Sequence, residues 1–354
     1  MNKILLIKLG SLGDVLLTTP LITVLKKNEP LIEIDYLTSC PQVLQNNPFT
    51  NKIIKIDPIL TSKNLFLEIF KIIKLFIMLF KFRKKYSSVF IFHRSGLLNI
   101  ILRLIFGNII YSYSLSPFLN IFLKKHVLFD LKQHRILRSF ELIKLEFSNL
   151  RWKEKDLKLI FEPQNKEDFL NIKDFYVVIA PGGGNNLWSQ METRKWPIEN
   201  YAELTGRIIV ELKTTVVMLG DKNDLQYAKQ IASAVNSERF ISLTGKTSIN
   251  QSALILKRAK LFIGNDSFPL FLASAVDIPT IGLFGPTNAE LINPFLDKHI
   301  AVQSTLDCSP CYNPVDGVKG CAYVCEQGKC MMAISVDSVF GKVKDIFSVI
   351  KEDS

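Results

Sequence analysis

The sequence lacks any apolar run long and unbroken enough to span a bilayer. Its longest apolar stretch, residues 65–82, is interrupted by Glu68, Lys71, Lys74 and Lys81, whereas a spanning helix needs about 20 mostly apolar residues in succession. No secretory leader is expected either. Lys8 and Asp14 break the apolar start of MNKILLIKLGSLGDVLLTTP, and no small-residue cleavage pattern follows. The expectation is a cytoplasmic protein. Glycine and proline are modest, at 17 and 15 of 354 residues, and 48% of the chain is hydrophobic. These values exclude a collagen-like, low-complexity or wholly disordered chain, and the length suits two domains.

Acidic residues are nearly missing from one stretch. Between positions 63 and 126 the chain has eleven Lys/Arg and one acid, Glu68, within a net charge of +11 for the whole. No motif of a nucleic-acid reader accompanies this charge, so no nucleic-acid partner is expected. A basic, apolar half-domain suits an anionic membrane surface; a Lys- and Ile-rich composition inherited from the source genome explains it equally well. Histidine is absent from the cysteine cluster. Cys40 stands alone, and Cys308, Cys311, Cys321, Cys325 and Cys330 follow a C-x2-C…C-x3-C-x4-C pattern. A cytoplasmic chain keeps thiols reduced, which leaves a four-thiolate structural zinc site or buried free thiols.

What is present alternates. Residues 3–9 form a near-continuous apolar run suited to a buried parallel strand, a Gly-rich turn follows, and residues 15–27 have helical periodicity. Further strands are expected at 32–37, 52–56 and 88–92, with a helix at 65–85 whose polar positions 64, 68, 71, 74, 81 and 85 form one narrow stripe. Charges crowd at 151–174, which reads as a linker. Strand and helix then alternate again: strands at 175–180, 215–219, 240–243, 261–264 and 280–284, helices at 197–213, 225–236, 250–259 and 270–276, and a last helix at 335–351. Two doubly wound α/β domains are implied, with ligands at the carboxyl ends of the strands, in a cleft between domains.

Three Gly-containing turns stand at such strand ends. The first, Gly10-Ser11-Leu12-Gly13-Asp14, matches neither the G-x-G-x-x-G fingerprint nor a G-K-[ST] phosphate loop. Its glycines let backbone N–H groups approach a phosphate or sugar, and the next helix points its positive end there. Asp14 is either a helix-capping carboxylate or a general base. The second is Pro181-Gly182-Gly183-Gly184, followed by Ser189, Arg194, Lys195 and Trp196-Pro197. Its two cations either neutralise a diphosphate or form a solvated pair. The third is Gly264-Asn265-Asp266-Ser267-Phe268-Pro269, with Gly285-Pro286-Thr287 closing the following strand; here a carboxylate and a hydroxyl meet a helix N-terminus. Together they point to a nucleotide-diphosphate ligand.

KLGSLGDVLLTTP, APGGG…TRKWP and GNDSFPLFLA…GLFGPT, in that order, with CSPC…C…C, resemble the family 9 glycosyltransferases, the ADP-heptose:lipopolysaccharide heptosyltransferases, over nearly the whole chain. The resemblance implies a GT-B fold, two doubly wound Rossmann-like α/β domains with an interdomain cleft. Residues 1–165 would bind the acceptor and 166–335 the nucleotide sugar, with 336–354 a C-terminal helix. It implies Asp14 as catalytic base, with Gly10, Ser11 and Gly13 lining the diphosphate or sugar. Gly183, Ser189, Arg194 and Lys195 would meet the donor, as would Asp266, Ser267 and Phe268, and Asp221 and Asp224 compete for the ribose. His93 and Arg94 follow a first-domain strand and are candidates to meet acceptor phosphates. The implied reaction is inverting, needs no metal or cofactor, and moves heptose from ADP-heptose to the lipid-linked lipopolysaccharide core at the cytoplasmic face of the inner membrane. One departure is plain. Where the family loop reads GNDSGPMHLA, Phe268 replaces the glycine and Phe271 the histidine. A different nucleotide sugar is therefore the nearest alternative, and a non-catalytic sugar-nucleotide or lipid-core binding protein the more distant one.

Overall fold

The computed structural model describes residues 2–57, 64–93, 95–114, 120, 125–164, 175–183, 192–312 and 328–352. The chain divides into two compact units, Met1–Phe161 and Glu162–Ser354.

In unit 1 six strands, β1 (Lys3–Ile7), β2 (Glu33–Thr38), β3 (Lys52–Lys55), β4 (Ser88–Ile91), β5 (Ile110–Tyr113) and β6 (Lys125–Val127), form one sheet of order β3-β2-β1-β4-β5-β6. Every pair is parallel. Ile4, Leu5, Leu6 and Ile7 are fully buried, as a central parallel strand covered on both faces requires. The helix expected at 15–27 is two helices, α1 (Leu12–Leu16) and α2 (Thr19–Asn28). Pro20 has no N–H for the Leu16 carbonyl, and the Thr19 hydroxyl donates to that carbonyl instead at 2.8 Å.

The helix expected at 65–85 is α3 (Leu65–Phe82). Its acidic residue lies on the inside: Glu68 is 4% exposed and paired with Lys71 at 2.9 Å. Leu75 and Leu79 enter the core beside it, while Phe66, Phe70, Ile73 and Ile77 point outward. Two helices that the polar pattern did not suggest complete the unit, α4 (Gly96–Phe106) and α5 (Arg135–Lys144). The start of the expected linker belongs to this unit. The Asn28 side chain pairs with both backbone groups of Arg151, Lys27 holds Asp156 at 3.0 Å, and Leu157, Leu159 and Phe161 are buried.

Unit 2 repeats the plan. Its strands are β7 (Tyr176–Ala180), β8 (Thr215–Met218), β9 (Phe240–Ser242), β10 (Leu261–Asn265), β11 (Thr280–Phe284) and β12 (His299–Gln303), in the order β12-β11-β10-β7-β8-β9 and all parallel. Its helices are α6 (Ile198–Glu211), α7 (Leu225–Val235), α8 (Ile249–Arg258), α9 (Phe268–Ala275), α10 (Lys329–Met332) and α11 (Val336–Glu352). The last helix packs on unit 2 itself: Arg207 of α6 pairs with Asp337 at 2.7 Å, and Val339, Phe340 and Val343 join the core. In both sheets strand order reverses beside the first strand, between β1 and β4 and between β7 and β10. Open α/β sheets bind ligands at this switch point, and the Gly-rich turns emerge there.

Candidate functional site

In unit 1 the switch point joins the loop after β1 to the end of β4. The Leu9 N–H donates to His93 Nε2, and the Cys40 thiol donates to the Gly10 carbonyl at 3.1 Å. Burial pushes the Cys40 thiol up, so it stays a protonated donor. His93 is forced neutral. Desolvation, aided by the nearby Lys8 charge, pushes it down to about 3 against the pull of Asp14. Because Nε2 accepts, the ring proton resides on Nδ1. His93 therefore meets the loop as a neutral acceptor, with no charge to offer an acceptor phosphate; Arg94 lies outside the described residues.

Gly10 is tightly enclosed, since a Cβ there would stand 3.1 Å from Asp14 Oδ2 and 3.4 Å from His93 Cε1. Ser11 is the N-cap residue of α1, without a side-chain cap bond, and Asp14 lies in the first turn. The Asp14 carboxylate, 33% exposed, stands between two cations, Lys8 Nζ at 3.8 Å and Arg135 at 3.5 Å. Burial lowers the Lys8 ammonium, with Asp14 opposing. The result is an accessible carboxylate whose charge is balanced from both sides and whose loop is pinned from below.

In unit 2 the switch point brings the loop after β7 against the loop after β10. Asn265, 1% exposed, ties them. Its amide nitrogen donates to the carbonyls of Pro181 and Gly182 at 2.7 and 3.2 Å, while its oxygen accepts from the Trp196 N–H and the Tyr201 hydroxyl. Gly183 adopts φ +109°, and a Cβ there would fall 2.6 Å from Ser267 Cβ. Only glycine fits.

Ser267 is the N-cap residue of α9, but its hydroxyl turns to the Asn265 carbonyl at 3.3 Å and makes no cap bond. Beside it Arg194 NH1 stands 3.7 Å from Asp266 Oδ2, and the Arg194 guanidinium lies 5.0 Å from the Tyr312 ring centre. Arg194 Nε and Asp266 Oδ2 are both buried, and neither has a hydrogen-bond partner among the described residues. A buried cationic donor next to a buried anionic acceptor is costly unless something satisfies both. A ligand carrying an anionic oxygen and a hydroxyl does so. Phe268, half-buried, begins α9, and Phe271 is buried in the core at 4% exposure.

Lys195 points elsewhere. It bonds Glu192 at 2.8 Å and the Tyr227 hydroxyl at 3.3 Å, lining a cavity of about 400 Å³ with Pro181 and Trp196. Desolvation works against its charge, but the bonds to Glu192 and Tyr227 outweigh it and hold the ammonium above its ordinary value. The two ribose candidates separate as well. Asp221 is exposed and caps a short 3-10 turn through Asn223. Asp224 is 6% exposed, accepts the Asp221 N–H at 3.0 Å, and lies where a Cβ on Gly182 would come within 2.3 Å of its carboxylate. Burial raises the Asp224 carboxyl above its usual range.

Ser189, Cys321 and Cys325 lie outside the described residues. Cys308 is exposed, Cys311 partly buried and Cys330 buried beneath Gly285. Among the described residues no group of three or more His, Cys, Asp or Glu side chains is placed to hold a metal. Sequence reasoning did not assign Lys8, Arg135, Asn265 or Tyr312. Asn265 lay inside a quoted motif, but Arg135 reaches Asp14 across 121 positions, and no local pattern signals that.

A family model of glycosyltransferase family 9 (heptosyltransferase) matches residues 109–321, more than half of the chain. Lipopolysaccharide heptosyltransferase 2 of Salmonella typhimurium is 32% identical over 108 residues, 30% of this chain and 31% of that protein, so the match spans about a third of its length. Lipopolysaccharide heptosyltransferase 3 of Escherichia coli is 26% identical over 311 residues, 81% of this chain and 85% of that protein. Among solved structures, a family 9 glycosyl transferase from Veillonella parvula superposes with TM-score 0.74 at 20% identity, covering 98% of this chain and 97% of that one. E. coli ADP-heptose lipopolysaccharide heptosyltransferase II superposes with TM-score 0.72 at 18% identity, covering both chains fully. The fold is thus the two-domain GT-B class of α/β protein, each domain built on a parallel sheet. With more than half of its length matching the family model, the chain belongs to glycosyltransferase family 9.

Proposed function

We propose that this chain transfers heptose from ADP-heptose to the lipopolysaccharide inner core, with inversion at the anomeric carbon, at the cytoplasmic face of the inner membrane. One observation carries the reading: the unsatisfied Arg194 Nε and Asp266 Oδ2 beside the uncapped start of α9. A guanidinium and a helix N-terminus suit a diphosphate, and an adjacent carboxylate suits sugar hydroxyls. A sugar diphosphate offers both. An E. coli heptosyltransferase of this fold, at TM-score 0.68 and 18% identity, is known with ADP.

In this reading the Asp14 carboxylate takes the proton of an acceptor hydroxyl as its oxygen attacks the anomeric carbon. The bond from that carbon to the diphosphate oxygen breaks on the opposite face, and ADP departs with the electron pair. Arg194 and the α9 terminus stabilise the charge that builds on ADP. Lys195 and Asp224, near one another around Gly182, are assigned to the nucleotide end of the donor. His93 holds the Gly10 loop, and Arg135 and Lys8 orient Asp14.

A second reading keeps the reaction and changes the sugar. It is favoured by Phe268 at the first position of α9, where the side chain adds bulk beside the donor phosphates, and by the buried Phe271, which offers no hydrogen bond. The test is incubation with ADP-heptose and a set of truncated lipopolysaccharide cores, read by mass. A heptose increment supports the first reading. An increment only with another nucleotide sugar supports the second, and none with any donor sinks both.

A further inference from the structure

We infer that the outward face of α3, with the exposed end of α4, is a docking surface for an anionic phospholipid bilayer. Phe66, Phe70, Ile73, Ile77 and Phe80 follow one another at spacings of three and four, so they line a single stripe of the helix. They are 87, 65, 51, 53 and 44% exposed, and Leu104 of the neighbouring α4 is 73% exposed. At about 1.5 Å per residue the helix runs about 27 Å, and isolated soluble units rarely leave a contiguous apolar patch of that length uncovered.

Charge selects the occupant. Residues 64–106 carry eight Lys/Arg and one acid, and that acid, Glu68, is turned into the core and held by Lys71. Lys81, Lys84 and Lys85 are exposed where α3 ends, and Arg83 stacks on the Phe80 ring at 3.6 Å. A second copy of this chain would bring an equally basic surface against it; an anionic leaflet draws favourable energy from the same cations. Among the described residues no helix is long and apolar enough to cross a membrane. The stripe therefore lies in the headgroup and acyl boundary, with the cations at the lipid phosphates. The inference deepens the membrane contact of the proposed function, but it stands on this face and not on the reaction.

The test is sedimentation of the full chain with phosphatidylcholine vesicles with and without phosphatidylglycerol. The chain is expected to pellet with the anionic vesicles and to be released by salt. Phe70→Ser, Ile73→Ser and Ile77→Ser together should weaken partitioning at least about 100-fold, given the area each side chain would bury. Lys84→Ala with Lys85→Ala should weaken it about 30-fold. Because these side chains are exposed, melting temperatures should hold, and transfer to a water-soluble truncated core should persist in the triple variant. That last readout separates the two ideas: a chain that binds vesicles but transfers nothing fails only the reaction. Equal binding to both vesicles, unchanged binding by the triple variant, or a dimer that the triple substitution dissolves would overturn the docking surface.

Discussion

The neutral state of His93 makes a quantitative prediction about acid. In the folded chain the ring titrates at about 3, against about 6.5 when unfolded. Below 6.5 the unfolded chain binds a proton that the folded chain refuses, so stability is intact above that pH and is lost as pH falls toward 3. Each unit below 6.5 costs about 1.4 kcal/mol, which comes to about 2 kcal/mol at pH 5. The lost contact can be named. A proton on Nε2 would oppose the Leu9 N–H that now donates to it, and it would add a third cation to Lys8 and Arg135 around Asp14. The Gly10 loop should then open, and turnover should fall on the acid limb together with stability.

With four histidines in the chain, ring-labelled NMR can follow each one. The expected result is an Nδ1–H tautomer for His93 that stays unprotonated through pH 5. Urea titrations at pH 7.5 and 5 should show the wild type losing about 2 kcal/mol more than His93→Gln, which cannot titrate. A His93 ring that titrates near 6.5, or equal pH sensitivity in the two proteins, would refute the assignment.

Other expected outcomes concern the two loops. Asp14→Asn should lower turnover about 10²–10⁴-fold, the usual worth of a general base, with ADP affinity by calorimetry nearly unchanged; parallel loss of both would mean the carboxylate only shapes its loop. Gly183→Ala forces a side chain into φ +109° against Ser267 and should cost about 1–3 kcal/mol of stability, so an unchanged melt would show that the loop relaxes freely. Arg194→Gln should weaken ADP binding roughly tenfold or more, the worth of a charged hydrogen bond; unaltered affinity would remove Arg194 from the donor site.

The central strands and both Gly-rich switch points were legible because parallel strands buried on both faces are nearly continuous apolar runs. Strands farther from the centre were less so. IYSY of β5, KHV of β6 and HIAVQ of β12 mix polar and apolar residues, so no continuous apolar run marks them. Segment α4 is apolar almost all round, so periodicity could not distinguish its faces. In α3 the helix was legible and its orientation was not. A stripe says which residues share a face, and only packing says which face turns inward. Glu68 turns inward, paired with Lys71 against the core, while Lys74 and Lys81 stay exposed. The clasp on Asp14 was equally hidden, since Lys8 and Arg135 converge through the fold and not through the sequence.

That convergence shapes the chemistry. Arg194 and Asp266 stand 3.7 Å apart, too far for a hydrogen bond yet close enough that their attraction at an effective dielectric near 20 is about 4 kcal/mol. A tight fork between them would have to break before a phosphate could take the guanidinium, and breaking a buried pair is expensive. A loose pair needs no breaking. The guanidinium keeps its electrostatic partner and still has Nε to donate, while Asp266 Oδ2 remains an acceptor for a hydroxyl. Around Asp14 the contacts are long as well, with Arg135 donating to Oδ1 at 3.5 Å and Lys8 Nζ 3.8 Å from Oδ2, so the carboxylate is held in place without a tight fork. Carboxylates kept near cations but not bonded tightly to them are what a site needs if they are to act on an incoming sugar.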